Sequence, residues 1–281
     1  MNTLRDIRRR LKSAENIKKI TDAMERVAAA RLRRAQELAE NARPYAKKMK
    51  EMVEALALGS ESQHPLFKNR EVKNRALIIV SADKGLSGPY NSNILAAADS
   101  FLKKYPSNNT ALILFGKKAI DYYQNKPWKI NFKRPDWAGK IKLDEIQEFS
   151  TQLIEHFLAQ KFDEVWLLYT HYVSVANREV ILSKFLAIEK PLNELSEEKL
   201  NYIFEPSAAE IFPVLLSRYC AIRLREALYE AYASELAARI MAMQMASKNS
   251  EEMMGVLTRI RNKVRQEGIT REMIEISSGV E

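Results

Sequence analysis

Residues 2–43 read NTLRDIRRRLKSAENIKKITDAMERVAAARLRRAQELAENAR and contain neither glycine nor proline. The apolar side chains of this stretch recur at steps of three or four, beginning with Leu4, Ile7, Leu11, Ala14 and Ile17. This spacing predicts one continuous helix with a single apolar face. The first glycine is Gly59, so the helix is expected to continue to residue 58. Pro44 removes one backbone donor and is the position where a kink is expected.

A second helical pattern covers about residues 208–277. Its apolar face is marked by Leu216, Tyr219, Leu228, Leu236, Ile240, Met243, Met254, Leu257, Ile260, Val264, Met273 and Ile276. Gly255 and Gly268 weaken this helix, by about 1 kcal/mol each relative to alanine. The two long helices share the spacing of a coiled coil, so we expect them to pair with each other in antiparallel orientation.

The residues between the long helices have a different sequence pattern, in which short apolar runs alternate with amphipathic segments. The predicted strands are Ala76–Val80, Ala111–Phe115, Val165–Thr170, Val180–Ile188 and Asn201–Phe204, and the predicted helices are Ser92–Lys104, Lys117–Gln124 and Leu143–Gln160. Residues 124–139 are interpreted as a loop or an irregular strand. Alternating strands and helices indicate a mainly parallel sheet. The predicted fold class is therefore an α/β domain (59–205) inserted between an N-terminal helix (1–58) and a C-terminal helix (206–281).

The basic charge of the chain is concentrated at one end. The formal net charge is +9, and residues 1–58 hold 15 Lys and Arg against 8 Asp and Glu. The clusters Arg8–Arg10, Lys18-Lys19 and Arg31–Arg34 are compatible with a solvated helix face, with nucleic acid, or with an acidic protein surface. No aromatic residue precedes Tyr45, so this segment lacks a platform on which bases could stack.

The segment most suggestive of catalysis is Ser81–Asn91, which follows a predicted strand and precedes a predicted helix. Ligands bind at such places in doubly wound sheets. The segment nevertheless matches neither GxxxxGK[ST] nor GxGxxG, and its lysine precedes its glycines. A demanding turn, with Gly85 and Gly88 supplying unusual φ values, is favoured over a nucleotide site.

Metal and nucleophile chemistry have little support elsewhere in the sequence. His64, His156 and His171 are far apart and lack metal-ligand spacing. The single cysteine, Cys220, excludes an intramolecular disulfide and is interpreted as a packing residue. We expect no catalytic site, no cofactor and no metal, and we also expect no signal peptide, transit peptide or membrane-spanning segment.

Several motifs, in order along nearly the whole chain, resemble the gamma subunit of F-type ATP synthases. They are Ile7–Gln36 and Asn41–Tyr45 in the first helix, Ser81–Asn91 and Phe115–Lys118 in the middle, and Ser234–Met243, Asn262–Gln266, Ile269–Ile276 and Ser278-Gly279 in the last helix. Lys84, Ser87 and Pro89 depart from the family's usual Arg, Cys and Gly. With Cys220 alone, the chain should also lack the redox switch of the chloroplast type.

The resemblance implies a rotor. The paired helices would form a central shaft inside a ring of three alpha and three beta subunits. The α/β domain would form a foot, resting with the epsilon subunit on the membrane-embedded ring of c subunits. Catalysis would belong to the beta subunits, so this chain would be a non-catalytic subunit. It would lie peripherally on the cytoplasmic side of a bacterial plasma membrane, and it would couple proton flow to ATP synthesis by rotation.

The resemblance also assigns residues to the contact between shaft and ring. These are Met24, Arg239, Gln266, Thr270 and Glu272 by motif, with Arg8, Arg9 and Arg10 as further shaft contacts. Ordinary helix surface or seam packing is the alternative interpretation of the same residues. Two rival functions stay open from the sequence: a basic coiled-coil protein that binds nucleic acid, and a nucleotide-dependent α/β enzyme that uses the Ser81–Asn91 loop.

Overall fold

Two long helices account for both ends of the chain in the computed structural model, which describes residues 3–58, 71–187 and 207–279. Helix α1 spans Leu4–Leu58 and contains Pro44, and helix α5 spans Ala208–Ser278 and contains Pro213. The Thr3 hydroxyl accepts the Asp6 backbone N–H at 3.2 Å and so caps the first turn of α1. Both predicted helices are confirmed, and each continues through its internal proline.

The described middle of the chain holds five strands and three further helices. The strands are β1 (Arg75–Val80), β2 (Thr110–Phe115), β3 (Lys129–Arg134), β4 (Glu164–Tyr172) and β5 (Arg178–Leu186). The helices are α2 (Tyr90–Leu102), α3 (Lys117–Tyr123) and α4 (Leu143–Leu158), with a single 3₁₀ turn at Ser107–Asn109. The ambiguous segment 124–139 therefore contains a regular strand, β3. The predicted strand at Asn201–Phe204 lies outside the described residues.

The strands form one sheet in the order β3-β2-β1-β4-β5. The pairs β1·β2, β1·β4 and β2·β3 are parallel, whereas β4·β5 is antiparallel. The mainly parallel α/β fold is therefore confirmed. The fifth strand runs the other way because only a short turn, residues 173–177, joins it to β4, and a parallel crossover needs a dozen or more residues.

Side chains of β1 alternate between two cores, as the period of a strand requires. Ala76, Ile78 and Val80 enter a core shared with α4, α5 and the α1 residues Met49 and Val53. Leu77 and Ile79 enter the opposite core, which α2 and α3 cover. The sheet is thus buried on both faces, which explains why β1 and β2 read as unbroken apolar runs.

Polar contacts tie α5 to the edge of β4. The Ser234 hydroxyl donates to the Thr170 carbonyl at 3.0 Å. The buried Glu230 carboxylate accepts the Tyr172 backbone N–H at 2.9 Å and lies 2.7 Å from His171 Nδ1. His171 is thus a structural partner of α5.

The contacts divide the chain into two compact units. The paired-helix unit comprises Met1–Ala30 and Arg239–Glu281, and the sheet unit comprises Arg31–Ala238.

Candidate functional site

The seam of the paired-helix unit is a coiled coil with unusually small side chains. On α1 the buried residues Ile7, Ala14, Thr21 and Ala28 recur every seven residues, with exposures of 1%, 2%, 7% and 2%. On α5 the buried residues at the same interval are Met243, Ser250 and Leu257. A seven-residue interval keeps one seam between two helices and is the pattern of left-handed supercoiling. Because alanine, threonine and serine occupy most of these places, the two helices pack closely around little apolar volume.

Three polar contacts across the seam set its direction and register. Lys18 Nζ lies 3.0 Å from the Glu251 carboxylate. Ser247 Oγ donates to Asp22 Oδ1 at 2.5 Å, and Gln244 Nε2 donates to Glu25 Oε1 at 2.8 Å. As the residue number of the α1 partner increases from Lys18 to Glu25, that of the α5 partner decreases from Glu251 to Gln244. The pair is therefore antiparallel, as predicted. Exposed ion pairs add little stability, but polar seam residues select one register over its neighbours.

The sequence placed Ile17 on the inward face of α1, and this placement is wrong. Ile17 is 49% exposed, whereas Lys18 is partly buried and Thr21 is 7% exposed. The seam follows the strict seven-residue interval from Ile7 and Ala14 to Thr21, although that interval selects a polar residue. The Thr21 hydroxyl satisfies itself by donating to the backbone carbonyls of its own helix, at 3.1 and 3.0 Å.

Met24 lies in a stripe of apolar side chains that runs along one flank of the seam. The stripe consists of Ile17, Ile20, Met24 and Val27, spaced by three, four and three residues. Ile17, Ile20 and Val27 are 49%, 57% and 51% exposed, and Met24 is half-buried. Contiguous exposed apolar surface of this kind marks an interaction site. Of this stripe, the sequence motifs identify only Met24 as a site residue. The other three could be found from their three- and four-residue spacing beside a polar seam.

The last turns of α5 extend past the start of α1. Continuing the observed register places Leu4 of α1 near Arg265 of α5, so the residues that follow have no α1 residue opposite them. Gln266, Thr270 and Glu272 all lie in this projecting end and are exposed. Four large apolar side chains there are also exposed, namely Ile269 at 50%, Met273 at 67%, Ile274 at 61% and Ile276 at 70%.

Two of the three predicted residues in the projecting end share a face. Gln266 and Thr270 lie on one open face of the helix, together with Lys263, Glu267, Arg271 and Ile274. The Thr270 hydroxyl donates to the Gln266 carbonyl of its own helix at 2.9 Å. Glu272 follows Thr270 by two residues and therefore points to another side of the helix.

Arg8, Arg9 and Arg10 are all exposed near the start of α1. Arg9 lies 3.5 Å from Asp6, whose pKa is held below its usual value by the Thr3 hydroxyl and, more weakly, by Arg9. Within residues 3–58, 71–187 and 207–279, no carboxylate pairs with Arg8 or Arg10. The start of α1 therefore presents cationic charge to its surroundings.

Arg239 is half-buried and lies far from the projecting end. The helical path from Arg239 to Gln266 is about 40 Å, at ~1.5 Å per residue. The predicted site residues thus do not converge on a pocket. They are distributed along one elongated unit, which is the arrangement of a contact surface and not of a reaction centre.

The Ser81–Asn91 loop is braced by its own side chains. The Asp83 carboxylate accepts the backbone N–H groups of Lys117 at 3.0 Å, Asp136 at 2.8 Å and Ala138 at 3.4 Å. Ser81 Oγ accepts the Ala119 N–H at 2.9 Å. The amides that a phosphate would use at this edge of the sheet are therefore already bound to an internal carboxylate. The turn interpretation is supported over the nucleotide site.

One detail of that interpretation is wrong. Positive φ values occur at Gly88 (53°) and at Leu86 (62°), but not at Gly85. Leu86 is also 62% exposed. A leucine held in the left-handed region costs free energy that a glycine would avoid, and nothing in the structure explains why it stands here.

Candidate metal and thiol chemistry is equally sparse. Within the described ranges, no three His, Cys, Asp or Glu side chains are grouped as metal ligands would be. His64 lies outside these ranges, and the His156 ring packs against Phe162. Burial raises the pKa of the Cys220 thiol to about 12, as expected for a packing residue. None of the helices in the described ranges is both long enough and apolar enough to span a bilayer.

Comparison with known proteins gives one consistent answer. The model of the ATP synthase family, ATP-synt, matches residues 3–281. The chain is 46% identical to the ATP synthase gamma chain of Protochlamydia amoebophila (strain UWE25), covering 100% of this chain and 99% of that relative. It is 39% identical to the ATP synthase gamma chain of Desulforamulus reducens, covering 99% and 98%.

Two solved structures have the same fold. One is a chain of the Euglena gracilis mitochondrial ATP synthase, with a TM-score of 0.67 at 17% identity, covering 98% of this chain and 93% of that one. The other comes from the central stalk and c-ring of the Tetrahymena thermophila mitochondrial ATP synthase, with a TM-score of 0.61 at 23% identity, covering 81% and 99%.

Proposed function

Because the chain belongs to the family of ATP synthase gamma chains, we propose that it is the rotor of the central stalk in an F-type ATP synthase. In this role it carries no catalytic site. Rotation of the chain couples ion flow through the membrane ring to ATP synthesis and hydrolysis at the beta subunits. The observation that carries the proposal is the paired-helix unit, an antiparallel coiled coil whose exposed apolar side chains need a surrounding partner.

The chemistry of the paired-helix unit explains how a rotor acts on chemically identical partners. One side carries the apolar stripe with Met24, and the start of α1 carries Arg8, Arg9 and Arg10. A beta subunit that contacts the apolar stripe therefore has a different interaction energy from one that contacts the arginines. A conformational equilibrium shifts only by such differences, so turning the rod changes which beta subunit favours which conformation.

The proposed assembly assigns a partner to each part of the chain. The helices of residues 1–58 and 206–281 form the shaft within the ring of alpha and beta subunits. Residues 59–205 form the foot, which contacts the epsilon subunit and the ring of c subunits. We place the assembly on the cytoplasmic side of a bacterial plasma membrane, with this chain bound peripherally. Met24, Arg239, Gln266, Thr270 and Glu272 belong to the surface that contacts the ring.

Reconstitution tests the proposal directly. Purified alpha and beta subunits are assayed for ATP hydrolysis with and without this chain, and the chain is assayed alone. We expect the chain to raise the activity of the mixture and to have none itself. If a tagged chain instead retained nucleic acid and bound neither subunit, the basic coiled-coil alternative would replace the rotor.

A matched pair of substitutions tests the role of the apolar stripe. Met24→Lys puts a cation within the stripe, whereas Ala23→Lys adds the same charge to the same helix at an exposed position outside it. We expect Met24→Lys to lower proton pumping per ATP hydrolysed several-fold in membrane vesicles, because new contacts with an acidic partner of roughly 1 kcal/mol each hold the rotor back. Assembly should persist. Equal coupling in both variants would contradict the assignment.

A further inference from the structure

We propose that the carboxyl edge of the sheet forms a collar around one turn of α5, and that this collar fixes the rotational angle between the helix and the sheet. The collar consists of Tyr90, Gly139, Thr170 and Tyr172, and the turn that it contacts is residues 230–234 of α5. The proposal rests on the rotor function proposed above, because it assigns the residues through which the foot turns the shaft.

The collar residues follow three strands whose carboxyl ends lie at one edge of the sheet. Strands β1 to β4 all run in the same direction, since β1 is parallel to β2 and β4 and β2 is parallel to β3. Tyr90 begins α2, which follows β1, and Gly139 lies in the connection from β3 to α4. Thr170 and Tyr172 are at the end of β4. The parallel sheet therefore brings all four residues to one place along α5.

Tyr90 contacts α5 at two positions of one helix face. Its ring belongs to a buried cluster with Ala82 and Ala238. Its hydroxyl donates to the Ala231 carbonyl at 3.1 Å. Ala231 and Ala238 are seven residues apart, so they lie on the same face of the helix, and their small side chains leave room for the ring. A carbonyl oxygen has two lone pairs, so Ala231 can accept this bond and still take part in the helix.

The end of β4 is hydrogen-bonded to the same turn of α5. The Ser234 hydroxyl donates to the Thr170 carbonyl at 3.0 Å, and the Glu230 carboxylate accepts the Tyr172 backbone N–H at 2.9 Å. Ser234 and Glu230 are 0% and 4% exposed. In such an interior a hydrogen bond is stronger than in water. The Tyr172 hydroxyl also accepts Gln36 Nε2 of α1 at 2.8 Å, so the end of β4 is bonded to both long helices.

A glycine lets the connection from β3 to α4 approach α5 closely. Gly139 has a φ of +69°, and a Cβ built on it would lie 3.2 Å from the nearest atoms of the Tyr232 phenol. Ordinary contacts between carbon atoms are about 3.5–4.0 Å, so a larger residue would push the connection away from the helix. In the same connection the Trp137 indole donates to the Ser81 carbonyl at 3.0 Å. This bond joins two parts of the collar to each other.

The contacts are spread around α5 and are not confined to one side. At about 100° per residue, positions 230, 231, 232 and 234 cover roughly 200° of the helix circumference. Apolar burial is non-directional and by itself would let a helix turn or slide. Hydrogen bonds, by contrast, weaken steeply as their angle changes. Bonds at several points around one turn therefore specify both the rotation of α5 about its axis and its axial position.

A fixed angle has a specific consequence in a rotor. Helix α5 is continuous over Ala208–Ser278. A turn of the sheet is therefore passed along this helix only if the helix cannot rotate within the collar. Load on the shaft stresses the collar bonds, whereas an unloaded shaft does not. The collar should accordingly matter for coupling under load and little for coupling without it.

The test compares two substitutions that each remove one buried tyrosine hydroxyl, in membrane vesicles that carry the complete complex. Tyr90→Phe removes the bond to α5. Tyr123→Phe is the matched control, because its hydroxyl donates to Asp99 of α2 at 2.8 Å in the opposite core. The measured quantity is the number of protons pumped per ATP hydrolysed, with and without an opposing proton gradient. Ser234→Ala, alone and combined with Tyr90→Phe, removes a second collar bond without adding any atoms.

We expect every variant to keep the parent ratio when there is no opposing gradient. Against a gradient, the ratio should fall in Tyr90→Phe and by about twofold in the double variant, because the helix can turn once these directional bonds are absent. The control should match the parent under both conditions. A double variant that behaves like Tyr123→Phe under load would overturn the collar. An equal loss with and without the gradient would also overturn it, because weakened assembly would then be the cause. Vesicles that carry the parent chain and hydrolyse ATP without pumping would contradict the rotor itself, and the collar with it.

Discussion

Gly116 should tolerate substitution poorly, and Gly116→Ala is the substitution that tests how the sheet edge is held together. Gly116 has a φ of +97°, outside the region that L-residues adopt readily. A Cβ built there would lie 2.1 Å from the Ser81 carbonyl oxygen and 2.6 Å from Ser81 Oγ. Backbone atoms cannot move aside as the end of a flexible side chain can.

The expected loss follows from these contacts. The backbone conformation costs about 1–3 kcal/mol for a residue with a side chain, and forcing extra atoms into a packed site costs about 1–3 kcal/mol. The Ser81 carbonyl also accepts the Trp137 indole N–H at 3.0 Å. Loosening that hydrogen bond adds about 1 kcal/mol. We therefore expect Gly116→Ala to lower the unfolding free energy by roughly 3–7 kcal/mol, a large share of the ~5–15 kcal/mol that is typical of folded proteins.

Urea unfolding followed by tryptophan fluorescence measures this loss, because Trp137 is 1% exposed and should report the opening of the sheet unit. The matched control is Gly85→Ala in the neighbouring loop. Gly85 has no positive φ and no atom within 4 Å of a built Cβ. We expect the control to change the unfolding free energy by less than about 0.5 kcal/mol. Similar losses in the two variants, or a loss below about 1 kcal/mol in Gly116→Ala, would refute the reasoning.

Three other predictions concern single positions. Gly255→Ala should raise the unfolding free energy by about 1 kcal/mol through helix propensity, because a built Cβ meets nothing within 4 Å; a decrease seen by circular dichroism would contradict this. The pKa of Glu164 lies below its ordinary value of 4.5, because hydrogen bonds from Lys184 and Trp166 and the charge of Arg75 outweigh the opposing effect of burial. A carboxylate whose pKa is lowered by folding stabilises the fold at pH values above its ordinary pKa. This contribution disappears as the pH falls through the folded-state pKa. Glu164→Gln should therefore be less stable than the parent at neutral pH, with the gap narrowing below pH 4.5; a gap that is constant in unfolding titrations would oppose this. The Cys220 thiol, with its pKa raised to about 12 by burial, should react with a thiol reagent only after unfolding, so fast labelling of the native chain would count against its placement.

Features encoded in local spacing were predictable from the sequence. The long helices, four strands and the antiparallel pairing follow from runs and periods that need no knowledge of distant residues. The sequence of strand β3 (KINFKR) is ambiguous because its alternate side chains are exposed and mostly charged, as edge strands often are. Hydrophobicity alone assigns Ile17 to the inward face, because it is apolar and follows Ala14 by three residues. The seam instead passes through Lys18 and Thr21, which follow Ala14 by four and seven residues.

Features produced by long-range pairing were not predictable in this way. The bracing of the Ser81–Asn91 loop by Asp83 depends on amides at residues 117, 136 and 138. The helix face shared by Gln266 and Thr270 is local to α5, but its exposure depends on where α1 begins.

The small side chains of the α1 seam also have a consequence during synthesis. Residues up to Ala30 pair with residues from Arg239 onward, so the ribosome makes roughly 200 residues in between. At about 5–20 residues per second, the first helix waits roughly 10–40 s for its partner. Because Ala14, Thr21 and Ala28 are small or polar, the unpaired seam face of α1 exposes little apolar surface. This limits aggregation of the nascent chain. A seam that packs closely in the finished rotor is thus also one that tolerates being left uncovered.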